Sequence, residues 1–348
     1  MTLQEAALAV PKCELHLHLD GSLSPAFIAR RAAARGVALP ADVTAEGEGL
    51  REYVHKMKAE QVRQGHKAAP GQNWDVFEFC NNFLQTHEEL RDATVELLDR
   101  LHAENVKICE IRFCPPLHTR EGLSERAAVL AVAEGLQSAR ATHGVLGGVI
   151  LCGLRSHTPE QSLRVAALSA DLMEETGGVV LGFDIAGDEG SYPLSDHVAA
   201  LRLAHERGAC VTAHAGEWPV DEQSSASLDN LKLALTSGLV SRIGHGIQIV
   251  KDMKFFEEFM RSSSSAVCFE CCLTANVGWK VPSYELHPIK QMIRSGLKVT
   301  LNCDNTLLSG SAERCATPSG EIVRFIRDVG MSRDDLFGVL LNAATSSF

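Results

Sequence analysis

Residues 147–185 read GGVILCGLRSHTPEQSLRVAALSADLMEETGGVVLGFDI. The run 147–152 is short and apolar. Thr158-Pro159 then places an N-cap residue before a proline at the first helical position, with Gln161 at the capping-box site. Val165, Leu168 and Leu172 follow at helical spacing, and Gly177-Gly178 stop the helix. A second apolar run, 179–185, begins at once. Two strands joined by a helix lie parallel, because the crossover returns the chain to its starting end.

The same punctuation recurs in both directions. Ser24-Pro25 opens an earlier helix that Gly36 closes, and Gly208, Gly238 and Gly296 close later ones. Strands are expected at 12–19, 108–114, 147–152, 179–185, 209–214, 241–246, 266–272 and 297–303. Most look too apolar to alternate, as in strands covered on both faces. A chain of 348 residues with 45% hydrophobic content could form one large barrel or two smaller domains. Eight strands, each followed by a helical segment, favour a single TIM-type (β/α)8 barrel over two doubly wound domains. No repeat or low-complexity linker interrupts residues 1–348. The stretch 41–74 is too long for a simple connection and reads as a helical insertion after the first strand, placed as a lid.

The net charge of −11 argues against a nucleic-acid or anionic-membrane surface, both of which need clustered Lys and Arg. No apolar run approaches the roughly 20 residues of a membrane helix. The first residues lack the basic start of a signal peptide. Eleven cysteines, an odd number scattered through the elements, fit reduced and buried thiols. A cytoplasmic location is expected.

Chemistry-bearing residues gather at the C-terminal ends of the expected strands, where barrel enzymes keep their sites. The first strand ends ELHLHLDG, 14–21, and its alternation puts His16 and His18 on one face. The fifth ends TAHAGE, 212–217, with His214 and Glu217. The sixth ends GHG around His245, and the eighth ends NCDN with Asp304 and Asn305. Three imidazoles and a carboxylate suit Zn2+, which takes nitrogen and oxygen ligands and activates water at an open position. The fourth strand has no terminal lysine to bridge a second metal, so one ion per chain is expected.

From about residue 11 to 348 the chain resembles the adenosine deaminase family. The resemblance rests on HLHLDG at 16–21, DIAGDE at 184–189, HAGE at 214–217, GHG at 244–246 and the closing NAATSSF at 342–348. It implies that His16, His18, His214 and Asp304 ligate zinc. It further implies that Glu217 hands a proton to purine N1 and that His245 holds the nucleophile. Substrate contacts fall to His18, to Asp20 at the sugar's 5′ end, to the Gly187 amide at N3, and to Asn305. The implied activity is hydrolytic deamination of adenosine and 2′-deoxyadenosine to inosine and 2′-deoxyinosine. The implied partner is a small purine nucleoside, with no nucleic acid and no membrane. Asn305 departs from the common pattern, which has a second Asp there. The family's Cys-Pro run appears as CLTAN, 272–276, and reads as structural. Trp74, Phe77, Phe79 and Phe83 read as one apolar helix face.

Rival readings remain. Cys268 and Cys271 with His102 and Glu104 resemble a cytidine-deaminase zinc signature, but their separation favours plain packing. A deaminase of adenine, AMP or an N6- or 5′-modified adenosine would share the motifs, and a catalytically idle barrel would need neither the ligands nor Glu217. His55, His66, His87, His118 and His197 lie in polar stretches and are expected at the surface.

Overall fold

The computed structural model describes residues 1–65, 67–219, 225–262 and 267–348. His66 and the first residue of the seventh expected strand lie outside the described residues. Among the described residues, eight strands form one sheet in chain order: β1 (Lys12–His18), β2 (Val106–Phe113), β3 (Leu146–Leu154), β4 (Val180–Ala186), β5 (Cys210–Ala215), β6 (Arg242–His245), β7 (Cys268–Cys271) and β8 (Lys298–Leu301). Every neighbouring pair runs parallel. Helices alternate with the strands, giving the expected TIM barrel. Thr158 closes a full capping box with Gln161 over helix Pro159–Glu175, and Gly36 takes the left-handed C-cap at φ 65°.

The barrel closes through its functional end. Leu17 bridges Asp304, His18 N donates to Asp304 O at 2.8 Å, and Asp304 N donates to His16 O at 2.9 Å. The backbone that seals the sheet therefore also sets three candidate site residues beside one another.

The strands do alternate, contrary to expectation. Leu15, Leu17, Ile111, Phe113, Phe183, Phe269 and Val299 are buried in the main hydrophobic cluster or the core around the strands. The intervening Glu14, His16, Glu110, Arg112, Asp184, Arg242 and Glu270 are equally buried but bond to one another across the barrel interior. Arg112, Arg242, Asp184, Glu110 and Glu270 each have an opposite charge there, since one left unpaired would cost several kcal/mol. Glu14 has backbone partners instead, and burial pushes its carboxyl up to about 8.

Within the 41–74 stretch, helix Leu50–Arg63 forms as expected, and Lys58 on it reaches the cavity described below. Trp74 and Phe77 line that cavity, whereas Phe83 is buried in the core, so the four aromatics do not share one role. Cys268 and Cys271 are buried in β7 as packing residues. His118 and His197 are not at the surface. Both are buried, His118 bonded to the Leu84 carbonyl and His197 held between Ser162 and the Arg155 carbonyl. Polar neighbours in sequence misled there, since these side chains turn inward. No helix of the described residues is long and apolar enough to cross a membrane.

Candidate active site

His16 and His18 come from β1, His214 from β5, His245 from the end of β6, and Asp304 from just past β8. His18 Nε2 lies 3.1 Å from His214 Nε2 and 3.4 Å from Asp304 Oδ1, and His16 Nε2 lies 3.5 Å from the same oxygen. Ligands at 2.0–2.1 Å around a tetrahedral ion sit about 3.3 Å apart. The spacing fits a metal. His16 Nε2 is also buried without a hydrogen bond of ordinary geometry, although it points at this centre.

The other ring nitrogens explain why. His16 Nδ1 donates to Glu270 Oε2 at 2.8 Å, and His214 Nδ1 lies 2.9 Å from Asp184 Oδ2. Arg112 spans both carboxylates, at 2.9 Å from each. Burial alone would raise the Glu270 carboxyl, but Arg112 and Arg242 overcome it and hold the group far below the usual carboxylate range. Carboxylates at Nδ1 leave the Nε2 lone pairs facing the centre. Gly244 makes room: a Cβ there would lie 3.0 Å from the His16 ring and 3.2 Å from His214 Cα.

His245 is close enough to count as a ligand by distance alone, since His16, His214, His245 and Asp304 present atoms within 4.8 Å of one another. Hydrogen bonding argues otherwise. Ile289 N donates to His287 Nδ1 at 3.1 Å, so the ring proton of His287 sits on Nε2 and is given to Asn276 Oδ1 at 3.2 Å. Burial pushes His287 down to about 3, which keeps it neutral. The Asn276 amide then donates to His245 Nδ1 at 3.2 Å. The remaining proton of a neutral His245 must be on Nε2, facing the site 3.2 Å from Glu217 Oε1. A protonated nitrogen cannot ligate. His18 is the better fourth ligand, and His245 presents a donor. Asn276→Asp should reverse that chain, since a carboxylate at Nδ1 draws the proton and leaves a lone pair on Nε2. We expect kcat to fall on the order of 10–100-fold with metal content and KM little changed. Unaltered kcat would show that the tautomer is immaterial.

Glu217 sits on a pinned turn. The Glu189 carboxylate accepts from the backbone of Gly216 and Glu217 at 2.9 Å, from Trp218 at 3.3 Å and from Ser227 Oγ at 2.9 Å. Lys280 makes an ion pair with Glu217 Oε1. Asp20, which lines the cavity, is 3% exposed, and burial raises its carboxyl to about 7. Gly187, at φ 99°, and Asn305 line the same cavity, which measures about 990 Å³ including its open mouth. Gly21 is needed for Asn305: a Cβ at 21 would overlap the Asn305 amide oxygen at 1.6 Å. Among the described non-glycine residues only Asn105, His245 and Asp304 have positive φ. Two of the three are in the site, held there by their surroundings despite a cost of order 1–3 kcal/mol each.

All nine expected site residues are thus brought to one end of the barrel. Sequence reading missed Glu270, Arg112, Glu189, His287, Lys58 and Lys280, and treated Asn276 as merely structural. A charge in the middle of an apolar strand, as in CEIRF at 109–113 or CFEC at 268–271, was the available signal.

A family model described as adenosine deaminase matches residues 11–348. An adenosine deaminase of Clostridium botulinum (strain Okra) is 31% identical over 351 residues, covering 97% of this chain and 93% of that one. Among solved structures, an adenine deaminase from Arthrobacter aurescens aligns with a TM-score of 0.78 at 26% identity, covering 98% and 94% of the two chains. The N6-mAMP deaminase of Arabidopsis shares the fold with a TM-score of 0.77 at 23% identity, covering 99% and 95%. With its family model spanning nearly the whole chain, and with such relatives, this protein belongs to the adenosine deaminase family of metal-dependent aminohydrolases.

Proposed function

We propose that the protein hydrolyses the 6-amino group of adenosine and 2′-deoxyadenosine, with one zinc ion held by His16, His18, His214 and Asp304. The observation that carries this reading is Glu217 Oε1 lying 3.2 Å from His245 Nε2, at the edge of a buried imidazole cluster with ligand spacing. Zn2+, when bound there, supplies a Lewis acid that makes water nucleophilic at neutral pH.

The chain's own residues do the rest. As oxygen adds to C6, electrons move onto N1, and Glu217 in its acid form gives N1 a proton there. The His245 Nε2–H, fixed by Asn276, orients the nucleophile and stabilises developing negative charge. The Gly187 amide serves N3, and Asp20, with His18, serves the sugar's 5′ hydroxyl. A purine panel of adenosine, 2′-deoxyadenosine, adenine and AMP tests the reading through the absorbance change to the 6-oxopurine. Turnover of adenine alone would instead favour the chemistry named for the Arthrobacter neighbour, and no turnover of any would refute a deaminase.

Asn305 has a specific part. Purine N7 offers only a lone pair, and an amide donates at any pH whereas a carboxyl donates only when protonated. Asn305→Ala should lose on the order of 1–3 kcal/mol of transition-state binding with adenosine. Wild type should discriminate against 7-deazaadenosine, which lacks N7, and the variant should not. Equal discrimination by both would place the N7 partner elsewhere.

A further inference from the structure

The cavity carries two lysine amines that a neutral nucleoside does not need. Lys58, on helix Leu50–Arg63, and Lys280, in the segment after β7, both line it. Lys58 Nζ donates to the Leu308 carbonyl at 2.8 Å. Lys280 Nζ pairs with Glu217 and stands 5.1 and 5.0 Å from the ring centroids of Trp218 and Trp279. Burial lowers both amines, Lys280 to about 7, and an anion arriving with the ligand would restore their charge.

Their position says where on the ligand that anion is. Lys280 touches Glu217, the group assigned to N1. Lys58 is tied to the carbonyl of Leu308, inside the turn that Ser309 N closes on the Asn305 carbonyl at 3.1 Å, and Asn305 is the group assigned to N7 on the other side of C6. The lysines therefore flank the purine at its C6 edge, where the substituent on the 6-amino nitrogen must lie.

Resting on the deaminase reading above, we propose that the preferred substrate is a purine nucleoside whose 6-amino nitrogen carries a short substituent ending in a carboxylate, clasped between Lys58 and Lys280. Water oxygen bonds to C6 and the C6–N6 bond breaks. One water proton ends on N1 of the 6-oxopurine and the other on the departing nitrogen, which leaves as an amino acid. No oxidant or reductant is required.

The test compares kcat/KM for N6-(carboxymethyl)adenosine with that for its neutral amide isostere, N6-(carbamoylmethyl)adenosine. Adenosine and AMP run alongside, with wild type, Lys58→Met, Lys280→Met and Lys280→Arg. Wild type should prefer the carboxylate by about 10-fold or more, as charge pairing in a sheltered site does. Each Met variant should bring that ratio to about one, and Lys280→Arg should keep most of it. All three tryptophans of the chain, Trp74, Trp218 and Trp279, line the cavity, so quenching of their fluorescence gives the same ratio as affinities, independent of turnover. A ratio near one in a wild type that deaminates adenosine overturns the proposal and spares the reading beneath it. So does a ratio unmoved in both Met variants. AMP preferred over adenosine, with that preference lost in the variants, would move the anion to the 5′ end. Inertness toward every compound would sink the deaminase reading and this proposal together.

Discussion

Glu217→Gln should keep its metal and bind adenosine with near-normal affinity, yet turn over about 10²- to 10⁴-fold more slowly. Gln matches Glu in shape and can still face the Glu189-pinned turn, whose bonds are to the backbone at 216–218 and not to the side chain. What it lacks is a transferable proton. Addition at C6 then leaves negative charge on N1 with only a hydrogen bond to stabilise it. Because the deficit arises in the transition state, it belongs in kcat more than in KM. Steady-state kinetics with elemental analysis of the same preparation checks this. Turnover within a few-fold of wild type would mean that N1 takes its proton from another group.

Complete removal of metal should abolish measurable deamination, and about one equivalent of Zn2+ per chain should restore it. Spacings of 3.1, 3.4 and 3.5 Å among His16, His18, His214 and Asp304, with Glu270 and Asp184 behind two of the imidazoles, suit the one ion proposed. Without it, water at neutral pH is a poor nucleophile, and neither His245 nor Glu217 is placed to ionise it alone. Asp304→Ala should behave like the stripped enzyme, with the added penalty of relaxing the left-handed turn at φ 64°. Full activity after dialysis against chelator, or two equivalents bound at saturation, would contradict a single essential ion.

Local rules go far in this chain. A cap, a helical period and a glycine stop are properties of neighbours in sequence, so Thr158-Pro159 and Ser24-Pro25 announced their helices, and the strand ends carried His16, His18, His214, His245 and Asp304 to one face of a barrel. Direction along a parallel strand is enough for that, because every C-terminal end emerges on the same side. The two buried histidines expected at the surface, His118 and His197, show the limit. Their neighbours in sequence are polar, but their partners are the carbonyls of Leu84 and Arg155, distant in the chain.

By itself, then, the order of residues determined the barrel, its functional end and the kind of chemistry there. Tertiary structure alone decided how that chemistry is tuned. The tautomer of His245 depends on Asn276 and His287, which meet it only after β6 and β7 pair and the following loop folds back. The orientation of His16 depends on Glu270, 254 residues away in the chain. Lys58 and Lys280 line one cavity although one precedes β2 and the other follows β7. Hydrogen bonds and charges act through a few ångströms of space, whereas periodicity and capping act through a few residues of chain, and only folding converts one kind of nearness into the other.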